Sequence, residues 1–522
     1  MSRDWGSVEN ARQGKMVDRS RELRVGALVS YIGIGLSILS GLLYTPWMIR
    51  TIGQADYGLY VIAGSLIAFV AVDFGLGGAV TKFLSEYRAA GDTAAEQRFL
   101  GIAFRLFGLM SVVLLIVMIA LSFFIDSIYA ELTVGEIERL KVVYAISGLL
   151  VVISFPFKPL DGILVAHERF ISSRMFELVA KMATVILTVV ALVLGWGLYA
   201  VVGVAAVVQL LKIAAQFVYA RINIGMHVDL MARDQSAHAS LFKFGAWTTI
   251  SSVASRFTFL LAPSILGALS GSSEIAVFGV ASTIEGYAYL FATALQGLFL
   301  PRVSRIVRNP DGGRREIEDL LIRVGRLQAL VLGLVVCGFS VVGDEFFDLW
   351  IGAGYEQAYL VSLLLLVPGM VYFTQQIAQT TLAALNKVKY EAYGRMLVAA
   401  TSVVASMILV PRYGAVGSGL GICIGNLIGS VFFMNLVYAK VLHIDVLRFF
   451  RECHLRLAPP FLLALLGGLA VGQALPGKSW FGLAGEALVI GMLYVGLVWV
   501  LYLRPSEKRL LVGSLSRRDN AG

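Results

Sequence analysis

YTPWMIRTIGQADYGLYVIAGSLIAFVAVDFGLGGAVTKFLSEY (residues 44–87) decides how the rest of the chain is read. It starts inside an apolar segment that begins near Gly26 and breaks at a polar turn, RTIGQADYG (residues 50–58). A second apolar segment follows and ends in the glycine-rich DFGLGG (residues 73–78). About 20 apolar residues cross a bilayer as a helix, so these two runs make a membrane hairpin. A weaker copy of the pattern returns about 218 residues later, with Pro46–Val61 laid on Pro263–Val280.

Composition agrees with lipid as the solvent. Of 522 residues, 58% are hydrophobic and 15% are charged, with a mean hydropathy of +0.80. A soluble domain carries about 25% charged residues. Fourteen candidate spans fall between residues 26 and 503. Spans five and six are separated only by GWGL, and spans eleven and twelve only by a turn at residues 412–414, so both pairs read as tight hairpins.

Two further segments repeat at the same interval. FPFKPLDGILVAHERF (residues 155–170) lies on FTQQIAQTTLAALNKV (373–388), and GLYAVVGVA (197–205) on GAVGSGLGI (414–422). Six spans separate the copies, so both have one orientation, and parallel repeats imply lobes related along the membrane normal. The predicted fold class is therefore an all-α integral membrane protein of about fourteen transmembrane helices. Two six-helix lobes are related by a pseudo-two-fold axis, with two extra C-terminal helices. The expected organisation is a tail (1–25), an N-lobe (26–221), a linker (222–244) and a C-lobe (245–438). An amphipathic loop (439–457), a last hairpin (458–503) and a tail (504–522) follow.

The net charge of +9 invites a nucleic-acid reading, but its distribution does not. Arg50, Arg139, Lys141, Arg412 and Lys478 lie on one side; the tails and alternate loops hold nearly all the rest. Lys and Arg concentrate on the cytosolic side of membrane proteins, so both termini are expected in the cytosol. The basic loop 302–326 and the loop 440–456 have helical spacing. They suit surface helices at the headgroups, or a docking site for a cytosolic enzyme.

Residues 44–87 resemble the first hairpin of the polysaccharide transporters, the Wzx-type O-antigen flippases. Their superfamily also holds multidrug and toxic compound exporters and the lipid II flippase. The resemblance implies a bacterial inner-membrane protein that moves an undecaprenyl-diphosphate-linked oligosaccharide to the periplasmic leaflet. It implies a central cavity lined by helices one, two, seven and eight, with membrane lipids and glycan-assembly enzymes as partners. A multidrug exporter, or a glycan polymerase or ligase, is the alternative.

Ionisable groups inside a bilayer are costly and mark function or pairing. The cations expected to line a substrate cavity are Arg256, Lys181, Arg50, Arg24, Lys158 and Lys212. Arg256 sits mid-span beside Ser251, Ser252 and Ser255. Its planar fork suits a diphosphate; pairing with Glu285 or snorkelling are the other readings. Glu177 and Lys181 are four apart in the order that favours a pair. Lys158 and Asp161 flank a proline kink, as a pair or as a polar patch. Arg105 and Lys212 lie near span ends and can snorkel. Ion coupling falls to Asp73, Glu177 and Glu285, since burial raises a carboxylate's pKa; Asp73 is alternatively a packing anchor.

Nothing points to an enzyme or a cofactor. His167, His227, His238, His443 and His454 lie in or beside cytosolic loops without metal-ligand spacing. Cys337, Cys423 and Cys453 are far apart, no phosphate-cradling P-loop is present, and no outer loop is long.

Overall fold

The computed structural model describes residues 33, 35, 36, 38–71, 76–228, 260–293, 296–307, 313–474 and 479–503. All regular structure among them is helical. Nine helices there are long and apolar enough to cross a membrane. The chain divides into two compact units, Met1–Ala276 and Val277–Gly522.

The first unit opens with α1 (38–52) and α2 (Gln54–Val70), joined at Gly53 by a left-handed turn. Then come α3 (Leu76–Ala90), α4 (Thr93–Ser122), the short α5 (Ile125–Ile128) and α6 (Val134–Ser154). Asp92 caps α4 by accepting from the Ala95 N–H at 2.9 Å. Thr133 and Glu136 form a reciprocal capping box at the start of α6. Pro156 and Pro159 lack the N–H a helix needs, so a 3-10 turn (Phe155–Phe157) precedes α7 (Pro159–Ala166). The hairpin of α8 (Phe170–Val193) and α9 (Gly197–Asn223) follows, and α10 (Leu260–Leu269) closes the unit with the first turn of α11 (Ser272–Thr293).

The second unit holds the rest of α11, α12 (Gln296–Val307), α13 (Gly313–Trp350), α14 (Glu356–Tyr372), α15 (Gln376–Ala384) and α16 (Lys389–Gly425). Helical geometry continues beyond α16 through Asn426–Phe433 to α17 (Met434–Val441). This apparent 53-residue rod folds back at Gly414 (φ 52°, ψ −129°), so it contains two spans. Then α18 (Val446–Phe450), α19 (Ala458–Ala474) and α20 (Trp480–Leu501) complete the described residues. The last two pack on α13 through Tyr494, Ile490 and Cys337. The Tyr494 hydroxyl donates to the Leu330 carbonyl at 3.0 Å.

The internal repeat is written in the backbone. Left-handed residues recur at the same interval: Gly53 and Gly271, Glu168 and Asn386, Gly197 and Gly414, Gly225 and His443. The 3-10 turn at Phe155–Phe157 recurs at Phe373–Gln375.

The two basic loops are not independent surface helices. With 38 residues, α13 is about 57 Å long, well beyond a bilayer core, and its first turns carry the basic stretch. Arg448 pairs with Asp319 at 2.8 Å and Glu318 at 3.7 Å, while Phe449 and Cys453 are buried against Leu320, Leu321 and Val324. Leu447 and Leu455 stay exposed on the opposite face.

Candidate functional site

In the first unit the polar groups gather where α7, α8 and α9 meet the end of α2. Helix α2 leaves its last carbonyls without intrahelical partners, at the negative end of its dipole. Lys158, carried on the proline kink, answers one of them. Its Nζ donates to the Ala71 carbonyl at 3.4 Å and sits 4.5 Å above the Phe155 ring. Asp161, three residues on, faces α9 and accepts from Gln216 Nε2 at 2.9 Å. The expected Lys158–Asp161 pair does not form: Lys158 reaches the end of α2 while Asp161 is taken by Gln216 of α9.

Gln216 shares its face of α9 with Tyr219 and with Lys212, one turn below. Tyr219 hydrogen-bonds Ser172 of α8 at 2.9 Å. Lys212 is half-buried with no described side chain at ion-pair distance. On α8, Glu177 pairs backwards with Arg174 at 2.8 Å rather than forwards with Lys181, which corrects the expected pair. Lys181 is left exposed on the surface of its unit. Arg50 is exposed at the end of α1. Arg24, Asp73 and Arg256 lie outside the described residues.

In the second unit Glu285 of α11 is buried, 7% exposed, and hydrogen-bonded to the Tyr372 hydroxyl at the end of α14. Arg395 of α16 acts on the same tyrosine and is held by Glu391 at 2.9 Å. Glu391 and Arg395 occupy the first two turns of α16 and were not among the site residues expected from the sequence. Beside them runs a buried amide and hydroxyl row, Thr374, Gln375, Gln376, Thr380 and Thr381, with Gln375 donating to Asn435 at 2.8 Å. The signal for it was visible in FTQQIAQTT (residues 373–381), a polar run inside an apolar helix.

The first unit also fastens the turn that copies residues 50–58. Ser272 donates to Glu136 Oε1, and the Gly58 Cα is so close to Ser272 that a Cβ there would fall on its carbonyl oxygen. Arg139 pairs with Asp56 at 2.9 Å beside it. These residues lie at the end of the unit with few cations. Burial alone would push the Glu136 carboxyl up, but Ser272, Thr133 and nearby Arg139 outweigh it and hold it below the ordinary glutamate range. A depressed carboxyl stabilises the fold above its unfolded pKa and loses that contribution as pH falls through the folded value. Glu136→Gln is therefore expected to lower the thermal unfolding temperature at pH 7, with the difference from wild type shrinking as pH falls through the folded carboxyl's depressed pKa. The effect should stay under about 1 kcal/mol, since solvent screens a partly exposed pair.

A family model described as polysaccharide biosynthesis protein matches residues 23–307. None of the curated proteins searched matches. Among solved structures, the lipid II flippase MurJ in an inward closed conformation superposes with a TM-score of 0.68 at 15% identity, covering 92% of this chain and 98% of that one. An inward-facing multidrug resistance MATE family transporter of the MOP superfamily gives 0.60 at 13%, covering 80% and 99%. A MOP superfamily transporter from Pyrococcus furiosus gives 0.58 at 13%, covering 81% and 95%. At such identities the likeness speaks to the fold alone.

Proposed function

The chain belongs to the polysaccharide biosynthesis protein family, and from that premise we propose that it flips a lipid-diphosphate-linked glycan across a bacterial inner membrane. The family match over the leading hairpin and the rest of the first unit carries the proposal. The substrate is an undecaprenyl-diphosphate oligosaccharide, an O-antigen or exopolysaccharide repeat unit. It enters from the cytosolic leaflet, the side of both termini and of the basic loops. Movement is by alternating access of the two repeat halves, residues 26–221 and 245–438. The cations divide the work. Arg256 binds the diphosphate in a fork, and Lys181, Lys212, Lys158, Arg50 and Arg24 supply positive potential around it. Glu285, buried against a tyrosine with an arginine near, is the carboxylate best placed to carry a coupling proton, with Asp73 and Glu177 as the other candidates. The membrane potential or an ion gradient drives the cycle.

The test is transport of labelled lipid-linked glycan in reconstituted vesicles. Arg256→Ala is expected to cut the flipping rate by about tenfold or more, since a lost charge-assisted bidentate contact is worth over 1.4 kcal/mol. Unimpaired flipping by the folded variant removes Arg256 from the site. A wild type that leaves the glycan in place but exports lipophilic cations replaces the flippase reading with a drug exporter.

A further inference from the structure

Three helix ends of the first unit surround a polar cavity of about 380 Å³. Arg88 in the last turn of α3, Arg169 just before α8, and Asn223 at the end of α9 line it, with Thr93 from the start of α4. Glu96 and His167 complete the wall. Among the described residues no ion-pair partner lies within bonding distance of the Arg88 or Arg169 guanidinium, although Arg88 is near enough to act on the charge of Glu96. The carboxylate Glu96 does have one. His167 Nε2 is 3.2 Å from Glu96 Oε1, and His167 Nδ1 is 3.0 Å from the Ile163 carbonyl. A carbonyl only accepts, so Nδ1 carries a hydrogen, and the other ring nitrogen shares a proton with Glu96. The histidine thus occupies the one acid in the cavity. Asp92 and Glu168, adjacent in sequence, do not line it. Each helix C-terminus there contributes only about half a negative charge, and α4 offers its positive end, so two arginines leave the cavity net positive.

We propose that this cavity binds a phosphate-bearing anion, separately from any transport site. The chemistry needs two forked cations that can each donate paired hydrogen bonds, a hydroxyl and an amide, and the cavity holds all of them. A phospholipid headgroup or a free phosphate compound can supply the same group. Its residues fall in the tail-side loops and helix ends that the Lys and Arg distribution assigns to the cytosol, where both are at hand.

The full-length protein, purified in detergent, is titrated with inorganic pyrophosphate while its thermal unfolding is followed. In parallel it is taken from vesicles of phosphatidylcholine, with and without phosphatidylglycerol, and retained lipid is read by native mass spectrometry. The expected result is that Arg88→Ala/Arg169→Ala weakens binding of the effective probe by about tenfold or more. Arg88→Lys/Arg169→Lys keeps the charge but loses the paired fork, so it is expected to weaken binding by a smaller factor; if the alanine pair fails to fold, wild-type binding by the lysine pair overturns the proposal. A pyrophosphate response without lipid retention assigns a free-anion site, and retention without that response assigns a headgroup site. Equal binding of both probes by wild type and the alanine pair, or binding by neither protein, overturns the proposal. Neither readout depends on transport, so a failed flipping assay leaves this inference standing.

Discussion

Gly58→Val is expected to slow flipping about tenfold or more while leaving a folded, membrane-inserted protein. Position 58 lies in the first turns of α2, where a Cβ would fall on the Ser272 carbonyl oxygen and lie about 3.0 Å from the carbonyl carbon. The obstacle is backbone, so no rotamer change relieves it; α2 and the start of α11 must part. Parting them also breaks the Ser272–Glu136 hydrogen bond. Overpacking costs about 1–3 kcal/mol, and every 1.4 kcal/mol shifts an equilibrium about tenfold. A transporter that must close this end in part of its cycle would then spend most of its time open there. The measurement is the initial flipping rate in vesicles, expected to fall about tenfold or more. Gly64→Ala on the same helix is the control, because a Cβ there meets nothing within 4 Å. A wild-type rate for Gly58→Val would show that closure at this end plays no part in transport.

The leading hairpin was legible because its signals are local: apolar runs of spanning length, a polar turn, and glycine where the chain reverses. The repeat was legible for a related reason. At Gly53 and Gly271, and at Gly197 and Gly414, the same residue meets the same backbone need. At Glu168 and Asn386, or Gly225 and His443, side-chain identity has gone but the left-handed turn remains. Conformation at a reversal is set by the geometry of the helices it joins, so it outlasts the residue that once favoured it.

Partners of the charged groups were less legible, because they depend on facing directions that no spacing rule contains. Glu177 has a cation at i−3 and another at i+4. Isolated-helix order favours Lys181, yet the carboxylate meets Arg174. Lys158 was readable as a residue at a kink, but its acceptor, the Ala71 carbonyl, is 87 residues away on another helix. Glu285, Tyr372 and Arg395 come together from three helices, so nothing near any one of them announces the others. The loop 440–456 misled for the opposite reason. Its amphipathic pattern suits a lipid surface, and α13 offers its apolar face an equally good partner with acids for Arg448.

Gly425→Leu is expected to unfold the second unit's hairpin, a larger effect on stability than any charge substitution above. After the reversal at Gly414, glycines recur every fourth residue at 417, 421, 425 and 429, which places them on one face of a helix. That face meets the earlier arm of α16 nearly backbone to backbone. A Cβ at 425 would strike the Ser402 hydroxyl and come within 2.8 Å of the Val398 carbonyl oxygen. One at 429 would lie 2.8 Å from both the Gly394 carbonyl oxygen and the Val398 nitrogen. Helices in lipid gain nothing from hiding apolar surface from each other, so close approach through small residues is their main source of adhesion. A leucine side chain would hold the arms apart along several turns, at a cost of about 3 kcal/mol or more. The first-unit hairpin of α8 and α9 lacks this stripe: at Gly203 a Cβ meets open space, and Gly203→Leu is expected to leave the unfolding temperature unchanged. Thermal unfolding of the two variants in detergent separates the cases. Equal stability of Gly425→Leu and wild type would mean that the two arms are held together by something other than glycine contact.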